Sequence, residues 1–141
     1  MAASGLLAGL HNHCFELPWP ETEIARLLST PGTSALIALR ISEPVGFLIV
    51  RQAADEAEII VIGTRPAARR EGIARRLLGD ASQSLAAQGV ARLFAEVAAG
   101  NRPARQLYAG MGFREVGMRR GYYAREGGPD EDAHVMMKNL P

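Results

Sequence analysis

Apolar residues recur along this chain with two alternating periods, and the switches between them mark its elements. From Ala2 to Phe15, Leu6, Leu7, Leu10 and Cys14 gather on one side of a helix before Pro18-Trp19-Pro20 breaks the chain. Glu21 to Ser29 forms a second helix, which Thr30-Pro31-Gly32 ends. Ala35 to Ile41 and Val45 to Arg51 read as strands of a hairpin with a tight turn at Ser42-Glu43-Pro44. The apolar run Glu58-Ile59-Ile60-Val61-Ile62-Gly63-Thr64 is a third strand. Ile73, Leu77, Leu78, Ala81 and Leu85 then return at helical spacing until Gly89 stops the helix. Arg92 to Val97 is a strand, and Ala104, Leu107, Tyr108 and Met111 stripe a short helix that starts near Asn101 and ends at Gly110 and Gly112. Phe113 to Met118 and Ala133 to Met137 are the last strands, around a polar loop rich in glycine and acid. The order α-α-β-β-β-α-β-α-β-β predicts an α/β fold, a mixed sheet with helices on its faces, in one domain covering residues 1–141.

Composition narrows the function without naming it. A hydrophobic content of 48% with 22% charged residues is that of a soluble globular protein with a substantial core. A net charge of +1 argues against a surface devoted to nucleic acid or to an anionic membrane. Cys14 is the only cysteine, which excludes an internal disulfide and weighs against a thiolate zinc site. His11, His13 and His134 are not spaced as metal ligands, because His11 and His13 point to different faces of a helix, so no metal is expected. No basic region precedes Gly5-Leu6-Leu7-Ala8-Gly9-Leu10 as it would in a secretory signal, and no apolar run approaches ~20 residues, so a cytoplasmic protein is expected.

Candidate chemistry concentrates in Arg69-Arg70-Glu71-Gly72-Ile73-Ala74-Arg75-Arg76, where the third strand hands over to the long helix. Free amides and the positive end of the helix dipole meet there, four arginines add positive potential, and Gly72 and Ala74 leave room for close approach. Tight packing of a helix on a sheet requires small residues as well, so this turn alone fits either an anion site or a packing device.

A second pattern separates the two. Asn101, Ala104, Leu107-Tyr108 and Gly112-Phe113 follow one another at fixed spacing. Together with Arg69-x-x-Gly72-x-Ala74 they resemble the GNAT superfamily of N-acetyltransferases, whose phosphate loop reads Gln or Arg, two residues, Gly, one residue, Gly or Ala. Leu17-Pro18-Trp19, Ala95-Glu96-Val97, Arg119-Arg120-Gly121-Tyr122-Tyr123 and Asp132-Ala133-His134-Val135-Met136 bring the chain closer to the bacterial ribosomal-protein-alanine N-acetyltransferases, over almost everything from Phe15 onward.

The resemblance implies a mostly antiparallel sheet with a splayed cofactor cleft, and acetyl-coenzyme A as the donor. Its pyrophosphate would take the amides of Arg70, Glu71, Gly72, Ile73, Ala74 and Arg75, and its pantetheine arm would pair with Ile62, Gly63 and Thr64. The Ile62 amide would hold the thioester carbonyl as it becomes an oxyanion. Asn101 matches a cofactor-contacting asparagine, and capping the next helix is an equally open role. Glu96 matches the family's general base and Tyr108 its general acid, although a strand glutamate is often merely solvated and a tyrosine on an apolar stripe merely core. Cys14 has no base beside it in sequence, so direct attack in a ternary complex is expected rather than an acyl-enzyme. Trp19 and Tyr122, with Tyr123, would flank the amine, with packing of the terminal hairpin an equally open role for the two tyrosines, and the acids Glu126 and Asp130-Glu131-Asp132 would attract a basic tail or form a solvated tip.

The implied acceptor is the N-terminal alanine of a small-subunit ribosomal protein. A small amine or a lysine on the same fold is the alternative, and an acyl-coenzyme A binding module without catalysis a third. Three departures stand out: no counterpart of a first strand before the helices, Arg65-Pro66 where an acid commonly precedes the proline, and Gly121 where relatives tend to carry Asn, which would loosen the acceptor loop.

Overall fold

The element order is the one expected: α1 (Ala2–Cys14), α2 (Glu21–Ser29), β1 (Thr33–Arg40), β2 (Glu43–Ala53), β3 (Glu56–Thr64), α3 (Ile73–Ala87), β4 (Arg92–Ala98), α4 (Arg102–Gly110), β5 (Arg114–Tyr123) and β6 (Glu131–Asn139), with a 3-10 turn at Pro66–Ala68. The structure, a computed structural model, describes residues 2–14, 20–123 and 130–141, with side chains from 4 to 11 in α1. No described strand precedes α1. The six strands among the described residues form one sheet in the order β1-β2-β3-β4-β6-β5. Every pair is antiparallel except β3 with β4.

Alternation along β2 divides the interior. Phe47 and Ile49 face α1 and α2, in a cluster with Leu7, Leu10 and Ile24. Leu48 and Val50 face the other way, into the larger cluster built on Leu77, Leu78, Ala81 and Leu85 of α3, Leu93, Ala95 and Val97 of β4, and Tyr108 of α4. Both faces of β2 are therefore buried, as a central strand requires. Helix α1 is rotated from the expected stripe: Ser4, Leu7, Leu10 and His11 are buried while Leu6 is 42% exposed. The i, i+3, i+7 set Ser4, Leu7 and His11 is apolar only in part, so hydrophobicity alone selects the wrong side.

Two other boundaries move. The β1–β2 turn is the two-residue Ile41-Ser42, both left-handed at φ 50° and 67°, and Glu43 and Pro44 already belong to β2. That is the geometry a twisted hairpin favours, and it costs a β-branched residue at positive φ, which Ile41 accepts on the surface. Strand β5 runs to Tyr123, well beyond the expected Met118, because it is an exposed edge strand whose side chains carry little burial signal.

The strand pairing opens the sheet on one side of its centre. β3 pairs with β4 only through Glu56–Arg92, Ala57–Leu93 and Glu58–Phe94, and the rest of β3 turns away. The β2–β3 register slips between Ile49 and Val50, which leaves Ile60 of β3 as an extra residue. Packing confirms the bulge, since consecutive Ile60 and Val61 face the α1–α2 cluster while Ile59 and Ile62 face the other. A bulge bends its strand and sharpens the twist, so β3 leaves β4 two residues after their last pair.

Helix α3 is seated against this bent strand by a missing side chain. A Cβ on Gly46 would lie 2.8 Å from Ile73 Cγ2 and 3.2 Å from the Gly63 carbonyl oxygen, so only glycine lets the first residue of α3 rest on β2. Gly46→Ala is expected to cost about 1–3 kcal/mol through overpacking, read as a lower urea midpoint at unchanged slope.

Candidate active site

A cleft of about 470 Å³ opens where the bent end of β3, the start of α3 and the first turns of α4 meet. Ile62, Gly63, Thr64, Arg70, Gly72, Ile73, Ala74 and Arg75, all expected at the phosphate and pantetheine sites, line it together with Pro103, Ala104 and Leu107 of α4. The β4-facing edge of β3 beyond Glu58 has no strand partner. Its backbone groups are thus available to an extended ligand, as an unpaired edge always is.

The turn into α3 is shaped for an anion. Arg70 at φ 66° and Gly72 at φ 79° are both left-handed, and Gly72 occupies the N-cap without any side-chain cap. Alternating handedness of this kind turns successive amides toward one point. The first intrahelical bond is donated by Arg76 to the Gly72 carbonyl (3.0 Å), so the amides of Ile73, Ala74 and Arg75 precede the helical ladder. No acid lies in the first turn to neutralise the dipole. A Cβ on Gly72 would meet nothing within 4 Å, which leaves that side open to a ligand.

The four arginines divide their work. Arg69 Nε donates to the Thr64 carbonyl (3.1 Å) and braces the turn. Arg76 pairs with Asp80 one helical turn on (3.2 Å), away from the cleft. Arg70 and Arg75 line the cleft and form no ion pair among the described residues. The Arg75 guanidinium reaches across to α4, where a Cβ on Gly110 would stand 2.9 Å from its Nη2, so it lies at the negative end of that helix.

Glu71 does not line the cleft. Its carboxylate turns outward and pairs with Arg40 at the end of β1, leaving only its backbone in the phosphate turn. Asn101 does not line it either, and its Oδ1 accepts from the Ala104 amide (3.2 Å), so the capping role is the one seen. Arg65 pairs with Glu43 of β2 (2.9 Å), which gives a structural reason for an arginine before Pro66.

Glu96 and Tyr108 stand on opposite faces of the sheet. Glu96 shares its face with Phe94, at a small cavity of about 140 Å³ lined by Glu58, Ile59 and Arg119, at the fork itself. The Arg119 guanidinium holds the carboxylate at 3.2 Å. Tyr108 is 4% exposed in the core behind the cleft wall, edge-on to Phe113 at 5.1 Å between ring centres. Burial, and after it the neighbouring Tyr123, pushes its hydroxyl up to about 12.

Tyr123 sits between the two. Burial raises its hydroxyl first and the negative charge of Glu96 next, with smaller contributions from Tyr122 and Glu131 opposed by Arg119. Tyr122, expected at the acceptor site, is half exposed, with the Arg119 guanidinium 5.1 Å above its ring. Trp19 and Glu126 lie outside the described residues. Arg119 as the partner of Glu96 was not visible in the sequence, because its evidence is the register that brings β5, β6 and β4 side by side.

Gly121 lies at φ 61° in a bulge where Arg120, Gly121 and Tyr122 all oppose Asp132. Glycine and asparagine are the two residues that accept this conformation readily, so its glycine conserves the backbone. The Gly121 amide donates to Asp132 Oδ1 (2.8 Å), which pins the bulge instead of loosening it.

Comparison with known proteins gives the site a context. The family described as "Acetyltransferase (GNAT) family" matches residues 6–113. A Haemophilus ducreyi protein named [Ribosomal protein bS18]-alanine N-acetyltransferase is 31% identical over 123 residues, covering 85% of this chain and 82% of the relative. The Escherichia coli K12 protein of that name is 40% identical over 90 residues, 64% of this chain, and the match spans only 60% of the relative's length. A crystal structure of the ribosomal-protein-S18-alanine N-acetyltransferase from Escherichia coli superposes with a TM-score of 0.91 at 28% identity, covering 99% of this chain and 89% of that one. A Bacillus anthracis structure in complex with acetyl coenzyme A has the same fold, at a TM-score of 0.72 and 22% identity, over 83% of this chain and 68% of that one.

Two outcomes test the geometry. Gly72→Ala should cost about 1–2 kcal/mol of stability from its forced left-handed backbone and weaken coenzyme A binding about tenfold in calorimetric titration. The folded state favours neutral Tyr108, so its contribution to stability is full below pH about 10 and is lost as pH rises through about 12. Tyr108→Phe should flatten that alkaline loss in melts recorded between pH about 9 and 12.

Proposed function

The chain belongs to the acetyltransferase (GNAT) family, and on that premise we propose that it transfers acetyl from acetyl-coenzyme A to the N-terminal α-amine of a protein. The acceptor we assign is the N-terminal alanine of a small-subunit ribosomal protein, the substrate that the names of its relatives carry. The observation that carries the transfer chemistry is the cleft itself: an unpaired β3 edge on one wall and an uncapped, unneutralised helix N-terminus on the other. An acyl chain linked to a pyrophosphate is the ligand that uses both at once.

In this reading the amides of the Arg70 to Arg75 turn, with the Arg70 and Arg75 guanidinium groups, hold the pyrophosphate. Ile62, Gly63 and Thr64 align the pantetheine arm, and the Ile62 amide stabilises the oxyanion as the acceptor nitrogen bonds to the thioester carbon. A chain α-amine has a pKa of ~8, so most of it is protonated at pH 7. Glu96, steadied by Arg119, removes the amine proton directly or through water. The C–S bond breaks as the tetrahedral intermediate collapses, and Tyr108 gives its proton to the departing thiolate. Its raised pKa keeps the phenol neutral, as a hydrogen-bond donor to the sulfur while negative charge builds there. Tyr122 and Tyr123 flank the peptide, with Trp19 expected on the other side. No metal is required for any of these steps.

Coenzyme A release is the assay, with short peptides starting in Ala, Ser or Met beside lysine and small free amines. Turnover is expected on the peptide N-termini, fastest on alanine. Turnover confined to small amines would overturn the peptide reading, and cofactor binding without any thiol release would overturn catalysis. Tyr108→Phe should lower kcat by roughly 10²-fold or more at nearly unchanged cofactor affinity.

A further inference from the structure

Glu131 and Asp132 close the acidic run Asp130-Glu131-Asp132, which as sequence looks like bait for a basic tail. In the fold both carboxylates are spent on backbone amides, and they reach in different directions. Asp132 Oδ1 accepts from Gly121 in the β5 bulge (2.8 Å), and Glu131 Oε2 accepts from Gly100 in the turn between β4 and α4 (2.7 Å). The neighbouring Ala99 amide donates to the Asp132 carbonyl (2.9 Å), so the β4–α4 turn is strapped to the start of β6 by two adjacent bonds.

Gly100 immediately precedes Asn101, the cap of α4. That helix supplies Pro103, Ala104 and Leu107 to the cleft wall and carries Tyr108. On the other side of the strap, Glu131 faces Tyr123 across the β5–β6 ladder, and Tyr123 feels the charge of Glu96. One carboxylate thus bridges the helix that would deliver the proton and the hairpin that would receive the acceptor.

We propose that Glu131 is a positioning residue, whose hydrogen bond to the Gly100 amide holds α4 and the β5–β6 hairpin in one frame for acetyl transfer. The proposal rests on the roles given above to Tyr108 and the hairpin. It differs from attraction of a basic acceptor in what the side chain must supply: an oxygen at the right reach, not a negative charge.

Two conservative variants separate reach from charge. Glu131→Gln keeps an acceptor oxygen at full length without the charge, and Glu131→Asp keeps the charge one methylene short. Steady-state kinetics would be measured on the full chain at two salt concentrations, with the amine the wild type acetylates best, beside calorimetric titration with coenzyme A. Positioning predicts Gln within about twofold of wild-type kcat, and Asp about tenfold lower in kcat at unchanged coenzyme A affinity and at both salt concentrations. Gly100→Ala, whose methyl would lie 2.5 Å from Glu131 Oε2 and displace the carboxylate, should reproduce the Asp defect. The reverse order, with Asp near wild type and Gln raised in acceptor KM in a salt-sensitive way, overturns the proposal, and so does wild-type kcat in both variants. A wild type silent on peptides but active on a small amine would overturn only the acceptor reading, since the Gln-to-Asp comparison is made on whichever amine reacts.

Discussion

The parting of β3 from β4 after three residue pairs is the constraint from which the rest of the site follows. A parallel pair buried between helices would ordinarily continue, because each unpaired amide in the interior costs free energy. The extra residue at Ile60 ends it by bending β3, and the packing of Ile60 and Val61 on one face and of Ile59 and Ile62 on the other makes the bend a requirement of both cores. Straightening the strand would move one of these apolar side chains to the wrong side. Hydrophobic burial therefore holds the cleft open before any ligand arrives.

Charge is distributed around that opening with little redundancy. At one end a helix N-terminus is left uncapped and without a first-turn acid, while Glu71, the nearest carboxylate, is drawn away by Arg40. Arg76 is likewise turned aside by Asp80, so Arg69, Arg70 and Arg75 line the cleft and Arg76 does not. At the fork, Glu96 is held by Arg119 from the neighbouring hairpin, and Tyr123 stands beside it. Behind the wall, a tyrosine whose proton is retained to a pH of about 12 provides a neutral donor in an apolar setting. Helix α1 packs on β2 and β3 and α2 packs on β1.

Much of this was legible because it depends on local pattern. Helix and strand order followed from period, and the anion turn from a glycine and arginines between a strand and an amphipathic helix. Its lining residues from Ile62 to Arg75 come from one continuous segment, so their meeting in space needed no long-range information. Where the sequence misled, a tertiary partner decided the matter. Ser4 and His11 displaced Leu6 from the buried side of α1, and Ile41 took a left-handed turn that its side chain disfavours.

By itself, then, the sequence determined the elements, their order and the glycine- and arginine-bearing turn into α3, since all of these are written in neighbours along the chain. Only the tertiary structure decided that Glu71 and Arg76 face away from the cleft, that Asn101 caps α4, that Arg119 holds Glu96, and that Glu131 and Asp132 strap the hairpin instead of standing free. The partners of Glu71, Glu96, Glu131 and Asp132 lie on elements distant in sequence, and which elements come side by side is set by the fold. A side chain's partner is set by which element lies across from it, and no local period contains that.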